Sequence, residues 1–444
     1  MSTNVPRAVF DDNGVEYWLE RELGRGGQGQ VFAVRGQDLA VKLVAHGTPG
    51  ARQQIRENVA RVKRLELSGL CIAKPLRTLA EPHVGYVMEL MTDMVPIHAL
   101  IHPVLPASEW YCATGGLRRR LHILSKLAHL LRDLHGRGLA YGDLSANNVF
   151  ISSSATETEV WLIDCDNIAY GVLPRTVRTD GYAAPELYDQ HPGPDSLSDS
   201  WSLATLVFEV LTSVNPFDGD VVDEGPPELQ QRAFRGELPW IDDADDQTNS
   251  CTRGFPRRFV LSPRLQELAQ QCFGASRTDR EQRPSAAEWA ERLDRAADQT
   301  LVCENCTHSF YYNEPHCPWC TTLRPAFVLA NIYVRDGSLP DHKGTIVGRV
   351  VVQEGHAQVL ARRHLNGGYD ETAQLHLELT SRHFVVRGEA ECSHGMQVGT
   401  ALKVLSGRTE RINRAQASKW RLRPLASEEL QRIVAFAPMD VVNE

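Results

Sequence analysis

The stretch LAYGDLSANNVFI, residues 139–151, decides the fold of this chain. It carries the pattern D-x-x-x-x-N at Asp143 and Asn148, with apolar residues on either side. Leucines at helical spacing over residues 117–134 precede it and predict an amphipathic helix that glycines end. The acid and the amide lie between apolar segments, which indicates a polar loop between regular elements. The chemistry of this loop is inferred from the motifs elsewhere in the chain.

Length and composition limit the class of protein. A chain of 444 residues exceeds what one hydrophobic core usually supports, which predicts two or three domains. The hydrophobic fraction of 42% and the charged fraction of 23% are those of a globular protein. The net charge of −9 and the lack of a dominant basic stripe argue against nucleic acid as a partner.

The N-terminus and the cysteines bear on location. The first residues have no basic flank before an apolar run, and no stretch of 18 apolar residues occurs. We therefore expect neither a signal peptide nor a membrane span. Six of the ten cysteines are scattered and four lie between Cys303 and Cys320. This distribution is not typical of a disulfide framework, so we expect a cytoplasmic protein with one metal site.

A glycine cluster near the N-terminus predicts a phosphate-binding loop. Gly24, Gly26 and Gly29 form G-x-G-x-x-G, which Val31 follows. Glycine is needed where a side chain would keep the backbone away from phosphates. Dinucleotide-binding turns share the pattern, but there a helix follows the glycines. Here the strand-like runs VFAV and LAVKLV follow, which argues against a dinucleotide turn.

Lys42 lies within the apolar run LAVKLV. A lysine inside an apolar strand is costly unless an anionic group meets it. The simpler explanation is a lysine on an edge strand with a solvated amine. The remaining motifs favour the anionic partner.

Over about residues 15–298 the chain resembles the eukaryotic-like (Hanks-type) protein kinases. The resemblance rests on the glycine loop, the D-x-x-x-x-N loop and the strand VWLIDCDN, in which Asp164 stands at the D of D-F-G. It implies that Asp143 orients the substrate hydroxyl and accepts its proton. It also implies that Asn148 and Asp164 hold Mg²⁺.

The same resemblance assigns the nucleotide site. Lys42 would contact the α- and β-phosphates of ATP and pair with a helix glutamate, for which Glu57 is the candidate. VMELM supplies Met88 as gatekeeper and the adenine-contacting hinge that follows it. The implied ATP-binding residues are Gly24, Gly26, Gly29, Val31, Lys42, Glu57, Met88, Glu89 and Met91.

Further matches favour a protein substrate over a small molecule. Residues 184–186 match A-P-E, and Thr179 precedes them in the substrate-facing loop. Asp199 resembles the buried aspartate at the start of the central helix. Arg283 resembles the arginine that pairs with Glu186, the A-P-E glutamate.

Several positions depart from the family pattern. Gly142 replaces the arginine that grips a phosphorylated activation loop, so we expect no activation through that contact. Tyr141 replaces a histidine, and Cys165 and Asp166 replace the phenylalanine and glycine of D-F-G. Ser145 replaces a cation near the transferred phosphoryl group, which predicts slower transfer.

The groups without which phosphoryl transfer fails are all retained, namely Lys42, Asp143, Asn148 and Asp164. We therefore predict a serine/threonine protein kinase that uses ATP and Mg²⁺ or Mn²⁺ and phosphorylates itself or a partner. The alternative is a nucleotide-binding pseudokinase scaffold that recruits partners through its C-terminal part. One turn after Glu57 stands Arg61, where the family has an apolar residue.

Four cysteines predict a zinc site. They form C-x₂-C-x₁₀-C-x₂-C at Cys303, Cys306, Cys317 and Cys320. This spacing is typical of a zinc ribbon, and four protein ligands indicate a structural and not a catalytic ion. His308 and His316 break the spacing and are interpreted as bystanders. Two disulfides, the alternative, are not typical of the cytoplasm.

The predicted fold class is α+β. It is a bilobal protein kinase fold, with a β-rich N-lobe and a helical C-lobe, followed by a zinc ribbon and a small β-rich domain. The predicted domains are the N-lobe 1–92, the C-lobe 93–299, the ribbon 300–324 and the β-rich interaction or regulatory domain 325–444. Strands are expected at NIYV, TIVGRVVV, AQVLA, LHLEL and HFVV. Residues 216–263 are expected to form an exposed, irregular acidic insertion.

This order of segments, with D-C-D-N in place of D-F-G, is similar to certain bacterial kinases. Those kinases are encoded beside a von Willebrand A protein and a 2C-type protein phosphatase in tellurite-resistance-associated clusters. The resemblance implies a bacterial phospho-signalling system, with the von Willebrand A protein as substrate and the phosphatase as antagonist.

Overall fold

The computed structural model of the chain describes residues 6–26, 29–44, 49–104, 106–171, 178–188, 193–274, 277–336, 344–426 and 430–439. His342, one of the histidines of the C-terminal region, lies outside these residues. The chain forms two compact units. The first comprises residues 1–104, 123–255 and 266–290, and the second comprises residues 105–122, 256–265 and 291–444.

The strands are numbered in chain order. They are β1 Ala8–Phe10, β2 Glu16–Gly26, β3 Gly29–Val34, β4 Leu39–Val44, β5 Arg77–Thr78, β6 Gly85–Glu89, β7 Met94–Pro96, β8 Leu139–Ala140, β9 Val149–Ser152, β10 Val160–Leu162, β11 Ala169–Tyr170, β12 Thr300–Val302, β13 Ser309–Tyr311, β14 Phe327–Asp336, β15 Thr345–Gln353, β16 Gln358–Ala361, β17 Ala373–Leu379, β18 His383–Gly388, β19 His394–Val398, β20 Ala401–Val404, β21 Thr409–Asn413, β22 Arg421–Pro424 and β23 Leu430–Met439.

The α-helices are α1 Pro49–Val62, α2 Ala107–Ala113, α3 Gly116–Gly136, α4 Ser196–Thr212, α5 Asp220–Asp223, α6 Pro227–Phe234, α7 Arg257–Val260, α8 Pro263–Phe273, α9 Ala286–Ala297 and α10 Arg362–Leu365. None of the helices in the described ranges is long and apolar enough to span a lipid bilayer.

The first unit begins with an antiparallel sheet in the order β1-β2-β3-β4-β6-β5. Side chains alternate between its two faces, so Ala40 and Lys42 of β4 share one face and Val41 lies on the other. Val41 packs in an apolar core within the strands, while Ala40 packs with Val59 of α1. Lys42 therefore lies on the face that α1 covers.

Two small sheets frame the D-x-x-x-x-N stretch. β8 pairs with β11, and β9 pairs with β10 and β7. Val149 of β9 lies opposite Leu162 of β10, so Asn148 and Asp164 lie near the same end of this sheet. The Ile163 N–H donates to the Asn148 carbonyl oxygen at 3.0 Å. The loop between β8 and β9 and the segment after β10 are thus held side by side.

The helix α4 is buried along nearly all of its length in the first unit, as expected from apolar residues that lie on nearly every side of it. Asp195 caps its N-terminus and accepts hydrogen bonds from the N–H groups of Leu197 and Ser198, each at 3.0 Å. The ring of Trp201 stacks on Phe217 with centroids 5.4 Å apart. These contacts fix the helix that carries Asp199.

The expectation of an exposed, irregular segment over residues 216–263 is wrong in part. This stretch contains α5, α6 and α7, and Trp240 and Phe255 are buried. The rings of Trp240 and Phe208 make an edge contact at 5.7 Å, which ties the segment to α4. The prediction of exposure holds for much of the segment, including the acidic run near residues 244–246 and most of residues 223–232. Aromatic residues scattered among acids gave no periodicity from which burial could be inferred.

The second unit contains a β-sandwich. One sheet has the order β15-β14-β23-β22-β19-β20 and the other β16-β17-β18-β21. Both sheets contribute to one apolar core, where the rings of Phe384 and Phe436 meet at 4.8 Å. All five predicted strands of this region are observed. Their alternating apolar residues face the sandwich core.

The four-cysteine segment belongs to the same unit. Its Leu301, Cys303 and Phe310 share an apolar cluster with Phe327 and Leu329 of β14. The side chain of Gln353 in β15 also exchanges two hydrogen bonds of 2.7 Å with the backbone of Val302. The predicted boundaries at 92/93, 299/300 and 324/325 remain predictions.

Candidate active site

The glycine-rich segment joins β2 to β3. Gly26 pairs with Gly29 in the antiparallel register, and residues 27–28 lie outside the described residues. A Cβ on Gly29 would lie 2.2 Å from the carbonyl oxygen of Leu43, so the fold itself requires this glycine. A Cβ on Gly24 would meet no atom within 4 Å. The packing of the described residues therefore does not require glycine at this position, and its contact with a ligand stays a prediction.

Three of the predicted ATP-binding side chains lie in one apolar cluster. Val31 of β3, Met88 of β6 and Met91 pack together with Ile163. Glu89, at the end of β6, has an exposed side chain. The cluster continues directly from the glycine-rich segment and offers an apolar surface suited to a planar base.

Lys42 is only 3% exposed and is paired with two carboxylates. Its Nζ lies 2.7 Å from Asp164 Oδ1 and 3.3 Å from Asp166 Oδ2. Burial works to lower the pKa of Lys42, but the charges of Asp166 and Asp164 outweigh it and raise the pKa. The amine is therefore a buried cation, as the sequence predicts, with an anionic partner.

The expected pairing of Lys42 with Glu57 is not what the structure shows. Glu57 is exposed on α1 and accepts a hydrogen bond from Gln53 at 2.8 Å. One turn further along the helix, Arg61 Nη2 donates to the backbone oxygen of Asp166 at 3.1 Å. Helix α1 thus presents a cation to the loop after β10, and the loop presents the carboxylate to Lys42.

Asp143 is held by hydrogen bonds from two side chains. Thr179 Oγ1 donates to its Oδ1 at 2.7 Å, and Asn148 Nδ2 donates to its Oδ2 at 3.2 Å and to its backbone oxygen at 2.8 Å. Burial raises the pKa of Asp143, and the two hydrogen bonds to the carboxylate oppose that rise. A carboxylate that accepts a bond from a hydroxyl has the geometry of a general base.

Asp199 shapes the backbone just before Asp143. This carboxylate is 1% exposed and accepts from the N–H of Tyr141 at 2.7 Å and from the N–H of Gly142 at 2.9 Å. His135 Nε2 lies 3.1 Å from it. Gly142 has a φ of 87°, in the left-handed region that glycine adopts without strain.

Tyr141 takes the place of the family histidine and links the two loops. Its hydroxyl donates to the backbone oxygen of Ile163, directly before Asp164. Asp164 has a φ of 53° and a ψ of 50°, a left-handed conformation that concentrates at functional sites. Cys165, buried beyond it, donates its thiol to the Ala73 oxygen at 3.2 Å. The position of Asp164 is therefore fixed on both sides.

The A-P-E glutamate and Arg283 form the ion pair that the sequence predicts. Arg283 Nη1 and Nη2 donate to the two carboxylate oxygens of Glu186, each at 2.7 Å. Burial would raise the pKa of Glu186, but the hydrogen bonds and charge of Arg283 lower it. Paired donors of this kind fix the geometry as well as the charge.

Comparison with known proteins agrees with this geometry. The chain matches the family model of the protein kinase domain over residues 17–292, more than half of its length. The chain belongs to the protein kinase family.

Two bacterial relatives of this kinase illustrate the similarity. Protein kinase YegI of Escherichia coli (strain K12) is 26% identical over 340 residues, which cover 72% of this chain and 50% of that protein. Serine/threonine-protein kinase pkn2 of Myxococcus xanthus is 30% identical over 239 residues, 49% of this chain and 26% of that protein. The chain spans half or less of the length of these curated relatives.

The residues of the kinase site fit a magnesium ion. Carboxylate and amide oxygens are the protein ligands that Mg²⁺ prefers. Asp164 supplies a carboxylate that is partly exposed, with 26% of its side chain accessible. Asn148 directs its amide nitrogen to Asp143, which turns its amide oxygen the other way. These two residues are the ones that would hold the ion.

The second candidate site of this kinase chain is the group of four cysteines. The sulfur atoms of Cys303, Cys306, Cys317 and Cys320 all lie within 4.8 Å of one another. Two pairs, Cys303 with Cys320 and Cys306 with Cys317, are 3.5 Å apart, too far for disulfide bonds. Zinc–sulfur bonds of about 2.3 Å in a tetrahedron place sulfurs about 3.8 Å apart. The cluster fits a zinc ion.

The two halves of the cysteine cluster have the same local geometry. Thr307 and Thr321, which each follow the second cysteine of a pair, both have a φ of 61°. The N–H of each donates to the carbonyl oxygen of the first cysteine in its pair, Cys303 at 3.0 Å and Cys317 at 2.9 Å. Two equivalent turns converge on one point, as four ligands to one ion require.

Two histidines of the second unit, His308 and His364, are held by contacts within that unit. His308 Nε2 lies 2.9 Å from the Ser108 oxygen, and its ring stacks on Trp319, which supports its interpretation as a bystander. His364 is buried, with Nε2 3.0 Å from Asp298 Oδ2. It therefore belongs to the core of the unit.

Sequence reasoning missed the role of two site residues. Asp166 was noted as a replacement for glycine, and Arg61 as an unexpected charge on α1, but not as parts of one contact. The available signal was that both positions depart from the family pattern, although Arg61 meets the backbone oxygen and not the carboxylate of Asp166. Such a signal becomes specific only when the helix and the loop are known to meet.

Proposed function

We propose that this kinase transfers the γ-phosphoryl group of ATP to serine or threonine residues of itself or of a partner protein. The observation that carries the proposal is the convergence of Lys42, Asp143, Asn148 and Asp164. Lys42 is paired to the loop that carries Asp164, and Asn148 bonds Asp143 directly. A cation, a base and two oxygen ligands are the groups on which phosphoryl transfer depends.

Each side chain has a distinct role in the proposed reaction. Asp143 orients the attacking hydroxyl and accepts its proton. Lys42 contacts the α- and β-phosphates of ATP. Asn148 and Asp164 hold Mg²⁺ or Mn²⁺, which when bound supplies positive charge to the phosphates. The apolar cluster of Val31, Met88 and Met91 receives the adenine.

The rate is expected to be low compared with kinases that have a cation after the catalytic aspartate. Ser145 is buried, so this position offers neither a charge nor room for a solvated one. Loss of one electrostatic donor at a transition state typically costs about 3–4 kcal/mol. Gly142 removes the arginine that would bind a phosphorylated activation loop, so the kinase is proposed to act without that switch.

The test is transfer of labelled phosphate from ATP by the full-length chain, with Asp143→Asn as the diagnostic variant. Asn keeps the shape of the side chain but cannot accept the proton, so transfer should fall about 10²- to 10⁴-fold. Asp245→Asn, at an exposed position, should transfer at the wild-type rate. The proposal would be contradicted if the wild type and Asp143→Asn both bound ATP but transferred equally little phosphate.

That last outcome would support the alternative, a pseudokinase scaffold that binds nucleotide and recruits partners through its C-terminal part. The observation that favours it is Ser145, because the transferred group would lack a nearby cation. Nucleotide-dependent stabilisation without transfer to any partner protein would distinguish the scaffold from the enzyme.

The partner proteins follow from the resemblance to bacterial kinases with the same order of segments. We propose a von Willebrand A protein as substrate and a 2C-type phosphatase as antagonist. The bacterial relatives named above support the bacterial setting alone. Phosphorylation sites on a co-expressed von Willebrand A protein, mapped by mass spectrometry, would test the substrate. The ten cysteines all lie in the described part of the chain and form no disulfide bond there, which supports a reducing compartment such as the cytoplasm.

The four cysteines are proposed to hold a structural zinc ion in a ribbon. Four thiolates complete a tetrahedral shell and leave no position for a substrate. Leu301 and Phe310 of this segment pack on β14, so zinc would stabilise a part of the β-rich unit. We further propose that the β-rich region acts as an interaction or regulatory module.

A further inference from the structure

Lys42 has two acidic partners, and the proposed reaction uses only one of them. Asp164 stands at the D of D-F-G and is the residue assigned to the metal ion. Asp166 stands where the family has glycine and has no role in that pattern. Its Oδ2 lies 3.3 Å from Lys42 Nζ.

A carboxylate cannot serve fully as a metal ligand and as the anchor of a lysine at the same time. If Asp164 turns to the metal ion, the acid that stays beside Lys42 is Asp166. The side chain of Asp166 is 15% exposed and that of Lys42 is 3% exposed, so the contact is largely shielded from water. Water screens the attraction between these opposite charges less than it would at the surface.

The backbone at Asp166 is itself fixed. Arg61 of α1 donates to its carbonyl oxygen at 3.1 Å. The preceding residue, Cys165, is buried and bonded to the Ala73 oxygen at 3.2 Å. Asp166 is thus held from the helix side and from the strand side, as a positioning group must be.

We propose that Asp166 is the positioning residue for Lys42, holding its amine toward the ATP phosphates in place of the helix glutamate. In this chain α1 contributes the cation Arg61 to the loop, and the loop contributes the anion to Lys42. A movement of α1 would reach Lys42 through the backbone of Asp166. This inference rests on the proposed nucleotide site, and its test does not require phosphoryl transfer.

The test is a double-mutant cycle on ADP affinity in the whole chain, measured by calorimetry with excess Mg²⁺, because without the ion Asp164 would still hold Lys42 at 2.7 Å. Lys42→Met should weaken ADP binding in the wild-type background, because the lysine meets the phosphates. In the Asp166→Asn background the amine is already misplaced, so Lys42→Met should weaken ADP binding by a factor at least about five times smaller than in the wild-type background. Glu57→Gln is the matched control and should leave the effect of Lys42→Met unchanged.

Adenosine, which lacks phosphates, serves as the control ligand and should bind all variants with equal affinity. Asp166→Gly, which restores the family residue, provides a second variant if Asp166→Asn does not fold. Asp166→Glu keeps the acid, so in this background Lys42→Met should weaken ADP binding more than it does in the Asp166→Asn background.

The inference would be overturned if Lys42→Met weakened ADP binding equally in the wild-type and Asp166→Asn backgrounds. If Glu57→Gln abolished the effect of Lys42→Met, the residue that positions Lys42 would be the helix glutamate instead. If Lys42 and Asp166 were coupled in ADP binding but the chain transferred no phosphate, the proposed function alone would be contradicted. If the chain transferred phosphate but Lys42 and Asp166 were not coupled in ADP binding, the inference alone would be contradicted.

Discussion

The two candidate sites of this chain are assembled in opposite ways. The four cysteines lie within residues 303–320, and two turns of the same shape bring them together. Lys42 and Asp164 are 122 residues apart and meet only because a strand, a helix and a loop pack in one arrangement. A site built by local turns can be predicted from spacing, and a site built by packing cannot be predicted completely.

The largest effect is expected at the local site. Replacing Cys303 and Cys317 with alanine removes one ligand from each turn, so the chain should lose its zinc. Metal binding by such sites is worth about 10–16 kcal/mol in zinc-finger peptides, and this energy stabilises the fold. Metal analysis should show about one zinc per wild-type chain and almost none in the variant.

Cys71→Ser is the control for the zinc prediction, since Cys71 is exposed and remote in sequence from the ligands. Its zinc content and thermal midpoint should equal those of the wild type. Zinc retained in full by the double variant would show that the four sulfurs are not the ligands.

A large effect is also expected for a buried contact made by packing. Arg283→Met removes the partner of Glu186, from which it is 97 residues distant in the chain. The side chain of Arg283 is 1% exposed, so a partly buried carboxylate would lose its two short hydrogen bonds and keep only the 3.5 Å contact with Arg280. We expect a loss of about 3 kcal/mol in the free energy of unfolding, measured with urea.

The matched control for that pair is Arg232→Met. Arg232 and Glu237 are 2.8 Å apart but exposed, so the loss should be about 1 kcal/mol or less. Similar losses in both variants would mean that burial does not distinguish the two ion pairs.

The smallest effect depends on pH and concerns Glu209 on the central helix. Burial raises its pKa from 4.5 to about 7, and a hydrogen bond from Tyr182 opposes the shift. Because the folded state binds the proton more tightly, this group stabilises the fold below about pH 4.5. That stabilisation is lost as pH rises through about 7.

Glu209→Gln cannot ionise and should remove this dependence. We expect the variant to exceed the wild type in stability at pH 8 by about 1–3 kcal/mol, with the difference shrinking toward pH 5. Urea midpoints at pH 5, 6, 7 and 8 give the comparison, with the exposed Glu237→Gln as control. Parallel pH profiles for wild type and Glu209→Gln would show that Glu209 does not titrate in this range.

Much of the fold could be predicted because the local patterns agree with it. The alternation of apolar and polar residues predicted strands in the regions of β14 to β18. Apolar residues on nearly every side of α4 predicted that this helix is buried. The burial of Trp240 was missed because its neighbours are acidic and show no periodicity. Its partners, Phe208 and Phe273, lie on other helices.

The error at Glu57 has a geometric cause. Glu57 and Arg61 are four residues apart and lie on the same face of α1, about 6 Å apart along the axis. The sequence identified the correct face of the helix, but it contains no information about how far the helix is displaced along that axis. The displacement decides which side chain reaches the loop, and here it is Arg61.

The sequence by itself supplied the candidate residues of both sites. The D-x-x-x-x-N loop, Lys42 and the cysteine spacing are properties of the chain, and they predict their chemistry wherever they are placed. Only the tertiary structure decided which acid meets Lys42, because that contact joins β4, α1 and the segment after β10. Contacts between distant segments depend on the packing of every element between them, and no local pattern specifies that packing.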